Sequence, residues 1–102
     1  MEENLLKLTV VDPARFSIST LDEYDARLVA GWLESLRRWR IDEYARTRST
    51  RLKGDQERYL FRSPTSDMMV AFAINGDEVV VKAILSKELY RQFHETPQGS
   101  SA

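Results

Sequence analysis

The sequence contains no cysteine and a single histidine, His94. The missing cysteine excludes disulfides, thiolate metal sites and a cysteine nucleophile, and with them a secreted disulfide scaffold. One histidine beside Glu95 provides neither a Ser-His-Asp arrangement nor clustered zinc ligands, so neither a metal nor a cofactor is expected, and His94 reads as a solvated surface residue. No apolar run approaches the roughly 20 residues that span a bilayer, so no membrane association is expected. The opening Met1-Glu2-Glu3-Asn4 is acidic and polar, unlike a signal peptide. These absences together suggest a cytoplasmic chain.

What is present suffices for one folded domain. The 102 residues are 42% hydrophobic and 10% aromatic, which argues against intrinsic disorder. One α+β domain over 1–95 is expected, with a disordered tail over 96–102. The net charge of −1 conceals an asymmetry. Residues 1–36 carry three basic against seven acidic side chains, net −4. Residues 37–62 carry nine against four, net +5, and 63–102 carry three against five, net −2. Eight of the nine central cations are arginine, whose planar fork matches phosphate and carboxylate. Such a block touches nucleic acid or an acidic partner, or forms a solvated helix face.

Periodicity divides the chain. Residues 5–10 have weak strand character, and Phe16–Ser19 alternates apolar with polar, so either segment is a candidate first strand. Thr20-x-x-Glu23 reads as a capping box. It precedes an apolar stripe of Tyr24, Leu28, Trp32, Leu36 and Trp39, widened by Val29, Leu33 and Ile41, which predicts a helix over about 21–39. A second helical stretch covers about 41–50, with Asp42 as a candidate cap, and the pattern leaves open one helix or two. Gly54 marks a turn. Beyond it come strands over 58–62, 67–74 and 77–85, with Asn75-Gly76 as a type I′ hairpin signal. A last helix is expected over 87–94, capped by Ser86.

If Asn75 and Gly76 form the loop, Ile74 pairs with Asp77, Phe72 with Val79, Val70 with Val81 and Met68 with Ala83. That apolar face should pack on the helix stripe. Centring the preceding turn on Pro64-Thr65 adds Tyr59 and Phe61 to the same face. The opposite face then gathers Arg58, Arg62 and Lys82 around Leu60, Ala71 and Ala73. It offers a floor for a nucleic-acid backbone or partner segment, or it is an ordinary solvated face with Arg62 paired to Asp67.

Leu52-Lys53-Gly54, Tyr59-Leu60-Phe61-Arg62, Ser66-Asp67, Asn75-Gly76-Asp77-Glu78, Val79-Val80-Val81 and Glu88-Leu89-Tyr90-Arg91 together resemble the RelE/ParE superfamily of toxin–antitoxin toxins. The resemblance covers about residues 50–91. It implies a small antiparallel sheet with helices packed on one face, and neutralisation by a cognate antitoxin. It also implies either ribosome-dependent mRNA cleavage or gyrase inhibition. For mRNA cleavage, the resemblance gives Arg62 and Lys82 as phosphate-stabilising groups and Tyr90 for stacking or proton transfer. Arg51, Lys53, Arg58, Lys87 and Arg91 extend the RNA-binding surface. Two positions depart from the family: Met69 stands where members commonly carry arginine, and Ser86-Lys87 where a basic pair is usual. A non-catalytic interaction module on the same fold is the alternative reading, and a general nucleic-acid-binding domain the third.

Overall fold

The structure, a computed structural model, describes residues 5–86. In chain order the elements are β1 (Lys7–Val10), α1 (Asp12–Ser19), α2 (Glu23–Arg37), α3 (Tyr44–Thr47), β2 (Ser49–Arg51), β3 (Arg58–Arg62), β4 (Met68–Asn75) and β5 (Glu78–Ser86). The strands form one sheet in the order β1-β5-β4-β3-β2. All its pairs are antiparallel except β1 with β5, which run parallel. The helices pack on one face, as expected of an α+β fold, but the sheet has five strands rather than the four expected, β2 being the addition.

Of the two candidate first strands, only the earlier one is a strand. Phe16–Ser19 belongs to helix α1. Pro13 in its first turn supplies a helix-ready φ, and the hydroxyls of Ser17 and Ser19 donate to the carbonyls of Pro13 and Phe16. The apparent alternation arises because Ile18 packs toward the core while Phe16 points outward, 70% exposed.

Helix α2 starts later than the capping box suggests. Asp22 is its cap, accepting from the Asp25 N–H at 2.8 Å. Thr20 instead closes α1, its hydroxyl donating to the Ser17 carbonyl at 2.7 Å. Val29, Trp32, Leu33 and Leu36 form the buried stripe. Tyr24 and Ile41, predicted for that stripe, are exposed. The 41–50 stretch contains one helical turn, α3, with Asp42 accepting from the Tyr44 N–H at 2.9 Å. It then becomes strand β2, so this region is neither one helix nor two full ones.

The helix-facing side of the sheet is built around aromatic rings. Trp39 lies 4.8 Å from Tyr59 and 5.5 Å from Phe72, between centroids, and Trp32 lies 5.8 Å from Phe61. Tyr59 stacks on Phe72 at 5.4 Å. Such pairs each add about 0.5–1.5 kcal/mol beyond burial of area. The expected partition of Tyr59, Phe61, Val70 and Phe72 onto this face is therefore correct, although the register is not.

Each hairpin is displaced by two residues from its expected register. At the β4–β5 turn Asn75 pairs with Glu78, and Ile74 with Val79, so the loop residues are Gly76 and Asp77. Gly76 alone has positive φ, +64°, at the first loop position, which is the type II′ pattern rather than I′. At the β3–β4 turn the loop is five residues long, 63–67. Buried Ser63 organises it by accepting from the backbone N–H groups of Thr65 and Ser66. Arg62 consequently faces Met69, not Asp67. A displacement of two leaves every side chain on its expected face.

A β-bulge then changes the face of later residues. Phe72 pairs with Val81 but Ala71 pairs with Ala83, which makes Lys82 the extra residue. Beyond it Val70 pairs with Ile84 and Met69 with Leu85. Ala83 thus leaves the helix side, where it was expected, and Ile84 packs against the core instead. The expected helix over 87–94 and the tail over 96–102 lie outside the described residues, and Ser86 ends β5.

Candidate functional site

The sheet face turned away from the helices is the candidate site. Strand alternation and the pairing register place Arg58, Leu60 and Arg62 of β3 there, with Met69, Ala71 and Ala73 of β4. Val80, Ala83 and Leu85 of β5 join them, as does Thr50 of β2. Lys7 and Thr9 of β1 extend the face toward Glu78, whose carboxylate accepts from the Thr9 hydroxyl. The floor is not uniformly open: Leu60 is 3% and Met69 1% exposed, and neither belongs to the helix-side core cluster.

Arg58, Arg62 and Lys82 are exposed. Arg58 stands opposite Ala73, which stands opposite Val80, and Lys82 follows on the bulge. Two strand spacings put Arg58 and Lys82 about 10 Å apart. Arg62 lies four residues along β3 from Arg58, about 13 Å away. Among the described residues, neither Arg62 nor Lys82 has a side-chain hydrogen bond or ion pair. Arg58 is partly committed, its Nη2 donating to the Lys53 carbonyl at 3.3 Å.

Lys82 opens into a cavity of about 340 Å³ whose lining also includes Gln56, Glu57, Ala73, Asn75 and Val80. The bulge accounts for its position, because the unpaired residue re-aims its side chain. Glu57 also lines this cavity, and its backbone carbonyl accepts from the Ile74 N–H at 2.8 Å, which fixes the loop before β3. Periodicity gave no signal for Gln56, Glu57 or Asn75, which lie in or beside turns. Lys7 and Thr9 could have been found by extending the alternation of residues 5–10.

Not every expected site residue gathers here. Arg51 faces Tyr59 across β2 and β3, which gives it the register of the helix side. Lys53 is exposed in the β2–β3 loop. Gly54 beside it has φ +129°, and a Cβ there would meet Arg58 Nη2 at 2.9 Å, so glycine lets Arg58 fold back on the loop. Lys87, Tyr90 and Arg91 lie outside the described residues.

Most of the remaining arginine block is structural. Arg37 bonds the Leu6 carbonyl at 3.1 Å and pairs with Glu34 at 3.2 Å. Arg40 bonds the Gly76 carbonyl, and Arg46 that of Trp39. Arg48 lies 3.9 Å above the Tyr44 ring and bonds the Tyr44 carbonyl at 3.1 Å. Arg38 stands 3.9 Å from Asp42. Among the described residues no three of His, Cys, Asp and Glu cluster as metal ligands, and no helix is long and apolar enough to cross a membrane.

No protein-family model and no curated protein matches the sequence. Solved structures do match the fold. A chain of the archaeal RelE–RelB complex from Pyrococcus horikoshii superposes with a TM-score of 0.64 at 11% identity, covering 81% of this chain and 96% of that one. A chain of the RelB–RelE antitoxin–toxin complex from Methanococcus jannaschii gives 0.61 at 10% identity, covering 83% and 96%. The solution structure of a conserved hypothetical protein from Helicobacter pylori gives 0.50 at 16%, covering 82% and 97%. The chain therefore has the RelE fold.

Proposed function

We propose that the chain is a RelE-like toxin, neutralised by a cognate antitoxin, that cleaves mRNA on the ribosome. The observation that carries this reading is the cationic sheet face, where Arg62 and Lys82 have no side-chain partner among the described residues, on a fold shared with proteins solved as RelE–RelB complexes.

RNA scission by its own 2′-hydroxyl needs three things. A base takes the 2′ proton as that oxygen attacks the neighbouring phosphorus. Cations stabilise the charge that develops on the phosphoryl oxygens. An acid protonates the departing 5′-oxygen, leaving a 2′,3′-cyclic phosphate and a free 5′-hydroxyl. In this reading Arg62 and Lys82 stabilise the phosphate, while Arg58 and Lys53 hold the flanking backbone. Glu57, among the residues that line the Lys82 cavity, serves in this reading as the base. Tyr90 keeps its proposed part in stacking or proton transfer, and Lys87 and Arg91 that of backbone contacts. Arg51 contributes from the sheet edge, on β2.

The test is expression in a host from a tightly controlled promoter, with primer extension on ribosome-bound mRNA. Growth arrest with new codon-phased mRNA ends is the expected result. Harmless expression at high level, with intact transcripts, would sink the toxin reading. A non-catalytic interaction module has one observation in its favour. Buried Met69 stands beside Arg62, where the family commonly has a cation. It would leave transcripts intact while binding a protein partner tightly.

A further inference from the structure

Strand β2 and the turn before it form an arginine-rich run, Arg46-Thr47-Arg48-Ser49-Thr50-Arg51, that contains no carboxylate. The run holds three hydroxyls, and two of them are bonded. Thr47 Oγ1 donates to the Tyr44 carbonyl at 3.1 Å, and Ser49 Oγ to the Ala45 carbonyl at 2.7 Å. The Thr50 hydroxyl has no partner among the described residues, and Thr50 is exposed. Its backbone is extended, in a strand that ends the sheet. The cleft of another enzyme can therefore lie along this residue without unfolding the chain.

The strand register decides what surrounds that hydroxyl. Thr50 stands opposite Leu60, so Arg58 and Arg62 are its two diagonal neighbours on the same face. Diagonal neighbours lie about 7–8 Å apart, within reach of a long side chain. Arg62 has no side-chain partner among the described residues. Arg58 spends Nη2 on the Lys53 carbonyl at 3.3 Å, and its guanidinium keeps further N–H donors. Strands β2, β3 and β4 contain no acidic residue. Two arginine forks thus flank an exposed, unbonded hydroxyl, with no carboxylate on these strands to neutralise them.

We propose that Thr50 is a phosphorylation site, and that Arg58 and Arg62 clamp the phosphoryl group once it is attached. The donor is a nucleoside triphosphate, brought by a separate protein kinase whose acidic cleft suits the positive charge of this run. Thr50 Oγ1 bonds to the γ-phosphorus as the bond from that phosphorus to the β–γ bridging oxygen breaks. The nucleoside diphosphate leaves with that oxygen and the electron pair, and the hydroxyl proton passes to the kinase's base. The product places about −1.5 to −2 charges and three acceptor oxygens between the two arginines. Charge-assisted bonds to both guanidinium groups then occupy cations that would otherwise hold RNA phosphate. Modification turns the face off. That consequence rests on the mRNA reading, whereas the site and its clamp do not.

The full chain is made with phosphothreonine inserted at position 50 during translation, and its phosphorus resonance is followed against pH. The titration midpoint is expected about one pH unit below that of phosphothreonine in a blocked peptide, because the arginines favour the dianion. Arg58→Ala and Arg62→Ala should each move it back toward the peptide value. Mass spectrometry of the chain isolated from its own cells, in growth and in stationary phase, should find phosphate on Thr50 and not on Thr47 or Ser49. A peptide-like midpoint, or one that neither arginine variant moves, would overturn the proposal. So would the absence of phosphate from Thr50 in both growth phases. On ribosomes, the phosphorylated chain should cleave mRNA about 10²-fold more slowly than the same sample after phosphatase treatment. Equal cleavage by the two forms would also overturn it. Cleavage by neither form would count against the mRNA reading instead, and the midpoint and the mass spectrum would still decide the site.

Discussion

Arg46 and Arg62 have the same side chain and opposite circumstances. The guanidinium of Arg46 satisfies the Trp39 carbonyl just after α2, where the chain turns under the aromatic cluster. Arg62 projects from β3 with no partner among the described residues. The two should therefore separate stability from activity. Arg46→Ala is expected to cost about 1 kcal/mol for the lost hydrogen bond, read as a fall of about 4–8 °C in Tm. Arg62→Ala should leave stability within about 0.5 kcal/mol, because its side chain bonds to no group among the described residues. The same change should slow the proposed mRNA cleavage by about 10²-fold or more, the usual consequence of removing one charge-stabilising group. Primer-extension rates and thermal melts on the two purified variants check both statements. Lys82→Ala should behave like Arg62→Ala. The core offers the contrast: Phe72 touches both Trp39 and Tyr59, and Phe72→Ala should cost about 3–5 kcal/mol in urea unfolding.

At the scale of elements, two caps compete in the sequence and only one closes α2. Asp22→Ala is expected to destabilise by about 1 kcal/mol, by loss of its bond to the Asp25 N–H. Thr20→Ala should cost less, because its hydroxyl serves only the exposed end of α1. Equal losses in the two variants would contradict this assignment. The same pair shows why boundaries escaped the sequence: Thr20 and Asp22 both suit a cap, and only the path of the chain between the helices decides. Element type was legible where a pattern ran long, as in the stripe of α2 and the valine-rich β5. Faces were legible too, since both loop misplacements were even-numbered. The bulge was not legible, because Lys82 sits within an unbroken alternation and only the paired strand reveals the extra residue. Strand β2 was hidden for a related reason, being three polar residues at an edge where no face is fully buried. Of the candidate site, Arg58, Arg62 and Lys82 were readable from alternation. Glu57 was not, for a turn residue enters a site through chain geometry rather than periodicity.

For the whole molecule, charge is a matter of distribution rather than sum. The chain carries a net −1, and most of its arginine block is bound to its own carbonyls or carboxylates. Among the described residues of the site face, few cations remain for a phosphate backbone, chiefly Arg62, Lys82 and the partly committed Arg58. A single strand that engages three phosphates gives a slope of log K against log salt of about −2. Affinity for naked RNA should accordingly be weak near physiological salt, and repelled further by the acidic first third of the chain. A filter-binding series between low and moderate salt tests this directly. A slope near −2 fits a small phosphate patch that needs another surface, such as a ribosome, to hold its substrate in place. A slope of about −5 or steeper would mean that the helical arginines also meet phosphate, which their carbonyl bonds argue against. Arg62→Ala and Lys82→Ala should each flatten the slope by slightly less than one, whereas Arg46→Ala should leave it unchanged. The salt series thus distinguishes arginines that build the fold from those left over to act on something else.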